Sequence, residues 1–334
     1  MTNISYVFFG SSAFSLYVLD ELEKAGVPPT IIVTTPDKPA GRGLAVTPTG
    51  VKVWANARGI PVLDPAKLDA TFIEKLKKEV SDKENLCGTK ISCHIVAAYG
   101  KIIPQAVLDI PPRGTLNVHP SLLPLYRGAT PIQSAMLDDA KKTGVTVMRV
   151  DALLDHGPIV AQKVVTVDEW PTYEALEEIL AREGGRLLVE ILPDWLADTA
   201  EKKVKEKEQD HTAATFTTKI IKEDGLIAVD MDDMETFATG SVGNEQADKV
   251  VIPTKTQYEI FRKIQAYREW PTAYFFIEKN DSKKTTGTHA DNKKIRVKIT
   301  SVEWRDNHLV IKKVIPEGKK ETDFASFIRN NRDV

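Results

Sequence analysis

The 334-residue chain has little cysteine, almost no net charge and no long apolar runs. Its two cysteines, Cys87 and Cys93, fit neither a zinc knuckle nor a Cys-x-x-Cys redox pair, and two thiols build no disulfide framework. Such usage points to reduced thiols and a cytoplasmic setting. The apolar runs are strand-length, well short of the ~20 residues of a membrane helix, so no membrane partner is expected. Met1 leads into Ile4-Ser5-Tyr6-Val7-Phe8-Phe9 with no basic segment or small-residue cleavage site, so no signal peptide is expected. The net charge of −2, taken as a total, argues against a nucleic-acid partner. The total hides a pattern. Residues 1–150 carry +4, residues 151–250 carry −13 and residues 251–334 carry +7.

What the chain does have is alternation. Strand-like runs at Ile4–Phe9, Thr30–Val33, Ile91–Ala98, Gly114–His119, Val145–Val150 and Ile159–Val167 are interleaved with helical patterns. The helical stretches are Phe14–Leu22, Val51–Ala57, Thr71–Val80, Pro131–Lys141 and Tyr173–Leu196. This order predicts an α/β domain with a mainly parallel sheet, its function in loops beyond the carboxyl ends of strands. Gly184-Gly185 is where the last helix can kink or split. Asp198–Asp210, rich in Lys and Glu, reads as an exposed linker. Beyond it the pattern shifts to short strands at Thr215–Ile221, Leu226–Val229, Ala273–Ile277, Lys294–Trp304 and Leu309–Val314, with one helix at Tyr258–Tyr267. Few helices among five short strands predict a small C-terminal β-barrel of the oligonucleotide-binding (OB-like) type. The expected domains are 1–200, a linker at 201–214, and 215–334.

Gly10-Ser11-Ser12 after the first strand invites a dinucleotide reading, which fails. A single glycine replaces G-x-G-x-x-G, and the second strand ends in Thr34-Thr35 rather than an acid. A serine-capped strand-to-helix turn fits better. The densest segment is Asn117-Val118-His119-Pro120-Ser121-Leu122-Leu123-Pro124-Leu125-Tyr126-Arg127-Gly128. Asn117 and His119 lie two apart on a strand and so share a face. An amide donor beside an imidazole can hold a developing oxyanion and move a proton. Asp155, before Gly157-Pro158, is a carboxylate that could orient His119. A core or turn histidine and an ordinary turn aspartate are the plainer readings of the two. The Pro36–Gly43 loop offers Lys38 and a glycine-flanked Arg42, able to reach a phosphate or simply solvated.

Asn117-x-His119-Pro120-Ser121-Leu122-Leu123-Pro124 with the later Leu154-Asp155-x-Gly157-x-Ile159 resembles the folate-dependent formyltransferases. Also similar are Phe9-Gly10-Ser11-Ser12-x-Phe14, Thr35–Gly43, Ala97-Ala98-Tyr99-Gly100-Lys101-Ile102-Ile103-Pro104 and Leu125–Ala129. In the tail, Trp270-Pro271-x-Ala273-Tyr274 and Pro316–Lys320 are similar to the members that act on initiator methionyl-tRNA. The resemblance implies a Rossmann-like formyltransferase domain, 10-formyltetrahydrofolate as co-substrate and no metal; nothing in the sequence demands more than a monomer. It implies Asn117, His119 and Asp155 as catalytic residues. It implies folate contacts from Tyr99, Ile102, Ile103, Ser121, Leu122, Leu123, Pro124 and Val150, and tRNA contacts from Lys38, Arg42 and Arg127. An amino-sugar nucleotide is the alternative acceptor. Leu44 and Ala45 stand where many relatives carry lysines, Ser134 where many carry tryptophan, and Asp230–Thr254 reads as an insertion.

Overall fold

The computed structural model describes residues 4–40, 45–88, 90–197, 204–228, 237, 254–279 and 293–331. The chain divides into two compact units. The first comprises residues 1–132, 141–168 and 175–218; the second comprises 133–140, 169–174 and 219–334.

The first unit is built on a seven-stranded sheet. In chain order its elements are β1 (Tyr6–Gly10), α1 (Ala13–Lys24), β2 (Ile31–Val33), β3 (Lys38–Ala40), β4 (Ala45–Thr47), α2 (Gly50–Asn56) and β5 (Val62–Leu63). Then come α3 (Ala70–Cys87), β6 (Cys93–Ala97), α4 (Gln105–Leu108), β7 (Thr115–His119), α5 (Pro131–Leu137, of which residues 133–137 belong to the second unit), β8 (Lys142–Arg149), β9 (Ile159–Thr166) and α6 (Tyr173–Leu196). The sheet order is β5-β2-β1-β6-β7-β8-β9. Its first five strands run parallel, and β8 is antiparallel to both of its neighbours. All five residues of β1 are buried, which is why this strand is a continuous apolar run rather than an alternating one. A separate two-stranded ribbon pairs β3 with β4 and leaves Lys38 exposed.

The turn after β1 has a steric explanation. A Cβ on Gly10 would lie 2.6 Å from the Phe8 ring and 2.7 Å from Ser15 Cβ. The Ser15 hydroxyl accepts from the Ser11 and Ser12 N–H groups and donates to the Ala97 carbonyl at 2.6 Å. One buried serine thus ties the first turn of α1 to the end of β6. Helix α6 runs unbroken through Gly184-Gly185. These glycines permit close approach: a Cβ on Gly184 would lie 2.5 Å from Val118 Cγ1, and one on Gly185 2.7 Å from Glu21 Cβ. The face of β7 carrying Val118 is therefore covered by α6, and Asn117 and His119 project from the other face.

Of the expected exposed linker at Asp198–Asp210, residues 198–203 lie outside the described residues; Lys205, Lys207, Glu208 and Asp210 are exposed, yet the segment is anchored to the first unit. Lys207 and Ile159 exchange both backbone hydrogen bonds at 2.8 Å, and Gln209 is buried. The chain then runs alongside residues 126–130: Thr215 C=O accepts from Arg127 N–H, and Thr217 N–H donates to Arg127 C=O, both at 2.8 Å. Thr215–Ile221 is accordingly not a strand; its single bridge joins Phe216 to Arg127.

In the second unit α7 (Thr254–Ala266) is followed by β10 (Tyr274–Lys279), β11 (Lys293–Arg305), β12 (His308–Pro316), β13 (Thr322–Asp323) and α8 (Phe324–Arg329). The strands form an antiparallel sheet in the order β10-β11-β12-β13. Its core gathers Phe275, Ile277, Val297, Ile299, Leu309 and Ile311 against Phe261, Ile264, Phe324 and Phe327. Leu226 contributes only a bridge to Tyr274, where a strand was expected. Of the expected insertion only Phe237, fully buried in this core, and Thr254, the first residue of α7, are described.

Candidate active site

Strand β7 reads Thr-Leu-Asn-Val-His and pairs with β6 and β8, which fixes the direction of its side chains. His119 is buried. Its Nε2 lies 2.9 Å from the Tyr126 carbonyl, which can only accept, so Nε2 carries the proton in the neutral ring. Nδ1 then holds the lone pair and faces Asp155 Oδ2 at 3.7 Å. Asn117, half-buried on the same face, has no side-chain hydrogen bond to any described residue.

Asp155 reaches this place by an unexpected route. Because β8 is antiparallel to β7, the β8–β9 loop leaves at the amino end of β7, where Val150 N–H donates to Thr115 C=O at 2.8 Å. The loop then folds back to bring the carboxylate to His119, at the carboxyl end. Arg149 N–H closes its base on Pro158 C=O at 2.9 Å. Gly157 must be glycine, since a Cβ there would overlap the Arg149 carbonyl. Asp155 Oδ2 accepts from Gly128 N–H at 2.8 Å. Tyr126 (φ 59°), Gly128 (φ 118°) and Asp155 (φ 45°) all have left-handed backbone. Such conformations cost about 1–3 kcal/mol for non-glycine residues and concentrate at functional sites. The tripeptide Tyr126-Arg127-Gly128 thus touches both partners, the imidazole through one carbonyl and the carboxylate through one amide.

The expected folate residues divide. Ile102 is 95% exposed, and in the Val150–Asp155 loop Leu153 and Leu154 are each 61% exposed. The resemblance points to Tyr99–Ile103 and Val150–Asp155 as the two folate loops, so it covers these leucines without singling them out. Tyr99 is not at the surface. It is buried in the core beside Val7 and Phe9, meeting the Phe9 ring edge-on at 5.5 Å, and Ile103 packs against that cluster. Burial pushes the Tyr99 phenol up to about 12. The Ser121–Pro124 turn is largely self-satisfied. Ser121 donates to Leu125 C=O, Thr146 bridges the Ser121 carbonyl and the Leu123 amide, and Gln162 donates to Leu123 C=O. Leu123 lies in a small apolar cluster with Met148 and Ile159. The turn's polar groups are thus largely engaged within the protein. The Val150 amide is likewise engaged, on Thr115.

Arg127 is a correction. Expected as a tRNA contact, it is only 3% exposed. Its guanidinium gives Gln209 Oε1 two hydrogen bonds (3.1 and 2.7 Å) and His211 Nδ1 one (2.9 Å). It also lies 5.9 Å from the Phe216 ring centroid. A guanidinium so occupied holds the protein together and is not available to a phosphate. Arg42 lies outside the described residues.

No group of three or more His, Cys, Asp or Glu among the described residues could hold a metal ion. No helix among them is long and apolar enough to cross a membrane.

Comparisons with known proteins identify the family. The formyl transferase family model matches residues 3–192, and the chain belongs to that family. A methionyl-tRNA formyltransferase from Chloroflexus aggregans is 40% identical over 271 residues, covering 81% of this chain and 75% of that protein. One from Anaeromyxobacter dehalogenans is 42% identical over 222 residues, covering 66% and 67%. The solved structure of a methionyl-tRNA formyltransferase from Clostridium thermocellum has the same fold, with a TM-score of 0.52 at 12% identity over 94% of this chain and 98% of that one.

Proposed function

We propose that the protein transfers the formyl group of 10-formyltetrahydrofolate to the amino group of initiator methionyl-tRNA, acting as a monomer in the cytoplasm. The observation that carries the reading is the 40% identity to a methionyl-tRNA formyltransferase across 81% of the chain, in a structure where His119 and Asp155 face each other beside an uncommitted Asn117. Exposed apolar side chains at Ile102, Leu153 and Leu154, on the two loops expected to hold the folate, suit a flat heteroaromatic ring.

Acyl transfer to an amine builds negative charge on the formyl oxygen and leaves a proton to be moved. The donor supplies an activated formyl group. The Asn117 carboxamide donates to the oxygen as charge develops. His119 Nδ1, unprotonated while Nε2–H is held by Tyr126, accepts the amine proton as the amine nitrogen bonds to the formyl carbon, and gives it to the donor nitrogen when the donor's bond to that carbon breaks. The resulting imidazolium lies between the Tyr126 carbonyl and the Asp155 carboxylate, both of which favour its charge. Lys38 and Arg42 contact the phosphates of the tRNA acceptor end.

The test supplies 10-formyltetrahydrofolate with charged initiator tRNA or with an amino-sugar nucleotide and follows formylated product. Formylation of the sugar but not the tRNA overturns the reading. Arg42→Ala is expected to raise KM for tRNA and to leave folate binding unchanged. An unaltered KM would return Arg42 to a plain loop residue.

A further inference from the structure

We propose that Gln209 is a positioning residue for formyl transfer, holding the loop that presents Asp155 to His119. This rests on the formyl-transfer reading above. Among the described residues, residues 151–157 receive three hydrogen bonds from outside their own loop. One is Gly128 N–H to the Asp155 carboxylate. The other two come from the Gln209 carboxamide, whose Nε2 donates to the Asp155 carbonyl at 2.9 Å and to the Gly157 carbonyl at 2.7 Å.

Gln209 is 5% exposed, and its carboxamide is used on both sides. Oε1 takes both hydrogen bonds from Arg127, so the guanidinium dictates which end of the amide faces the loop. Arg127 is the middle residue of the tripeptide that holds His119 through Tyr126 C=O and Asp155 through Gly128 N–H. The circuit is therefore closed: tripeptide to guanidinium, guanidinium to Gln209, Gln209 to the loop, and loop carboxylate back to the tripeptide. His211, which accepts from Arg127, stacks on His156 of the same loop with ring centroids 4.0 Å apart and planes 3° from parallel. A left-handed Asp155 inside an irregular loop has no ladder to hold its carboxylate in place, so this clasp sets the distance to His119.

Two variants separate positioning from simple filling of a buried slot. Gln209→Leu removes all four hydrogen bonds. Gln209→Glu keeps both acceptor positions for Arg127 but has no donor for the two carbonyls, so it spares a purely structural role and breaks the clasp. Both are expected to lower kcat at least about tenfold, since small misplacements of reacting groups cost up to about 10² in rate. KM for methionyl-tRNA should stay within about threefold, because nothing facing that substrate changes. In the free enzyme, amide hydrogen exchange across residues 150–158 should quicken at least about tenfold, with β6 and β7 unchanged. A Gln209→Glu protein with wild-type kcat, or with wild-type exchange in that loop, overturns the proposal. If the wild-type protein formylates no tRNA, the functional reading fails, and the exchange measurement still decides the clasp.

Discussion

Asp155→Asn removes one charge and little else. Asparagine has the same shape, tolerates the left-handed backbone found here at φ 45°, and keeps an oxygen for Gly128 N–H at 2.8 Å. What disappears is a negative charge 3.7 Å from His119 Nδ1. In a partly buried site with an effective dielectric near 20, an imidazolium at that distance loses about 4 kcal/mol of attraction. The charge pair exists only once His119 has taken a proton, so the loss falls on the transition state rather than on bound substrate. At 1.36 kcal/mol per decade, kcat should drop by roughly 10²–10³, the lower figure allowing for solvent at the loop. Rapid-quench single-turnover formylation of charged initiator tRNA measures the chemical step directly, with circular dichroism to confirm folding. A variant within tenfold of wild type would mean that Asp155 does not stabilise the protonated ring, and the proposed route for the proton would be wrong.

His94 makes stability depend on pH. Burial holds it down to about 3 from its ordinary 6.5, and neither ring nitrogen has a partner. The unfolded chain takes up the proton first, so this contribution is complete above about 6.5 and is lost between there and about 3 as pH falls. At pH 5 the loss is about 2 kcal/mol, so urea unfolding of His94→Leu should show a correspondingly smaller decline from pH 7.5 to 5, and equal declines would count against it. Gly184→Ala should lower the melting temperature, because a Cβ 2.5 Å from Val118 Cγ1 costs about 1–3 kcal/mol of overpacking against about 1 kcal/mol of helix propensity gained. A higher melting temperature would show that α6 yields more easily than its packing suggests. Burial raises the Cys93 thiol to about 12, so at pH 8 iodoacetamide should leave it unmodified in the native protein and label it after unfolding, read by peptide mass spectrometry.

Periodicity makes the first unit legible. Each strand at the centre of the sheet is a short apolar run bounded by turn residues, and the two-residue spacing of Asn117 and His119 is enough to put them on one face. Periodicity fails where an element forms by pairing with something distant. Thr215–Ile221 has strand-like alternation yet runs along Tyr126–Thr130, and Leu226 makes one bridge. The glycines of α6 look like a break, because sequence shows the conformational cost of glycine and not the neighbouring helix and strand that need its missing side chain.

The site is legible in its chemistry and not in its supports. Asn, His and Asp announce themselves by type and spacing. An arginine in a glycine-containing segment suggests a hand held out to phosphate, since buried arginine is rare unless it is paired. Here the pairing exists, 82 residues away, with the one amide in a run of lysines and glutamates. No local pattern marks such a partner, because a hydrogen bond between two polar side chains imposes no period on either stretch. The same fact alters the meaning of the charge distribution. Arg127 belongs to the basic first segment and Gln209 to the acidic middle one, and their contact stitches the two together behind His119 and Asp155. Part of the acidic segment therefore supports the loop that carries Asp155. With Arg127 engaged there, Lys38 is left as an exposed cation open to a phosphate under the proposed function.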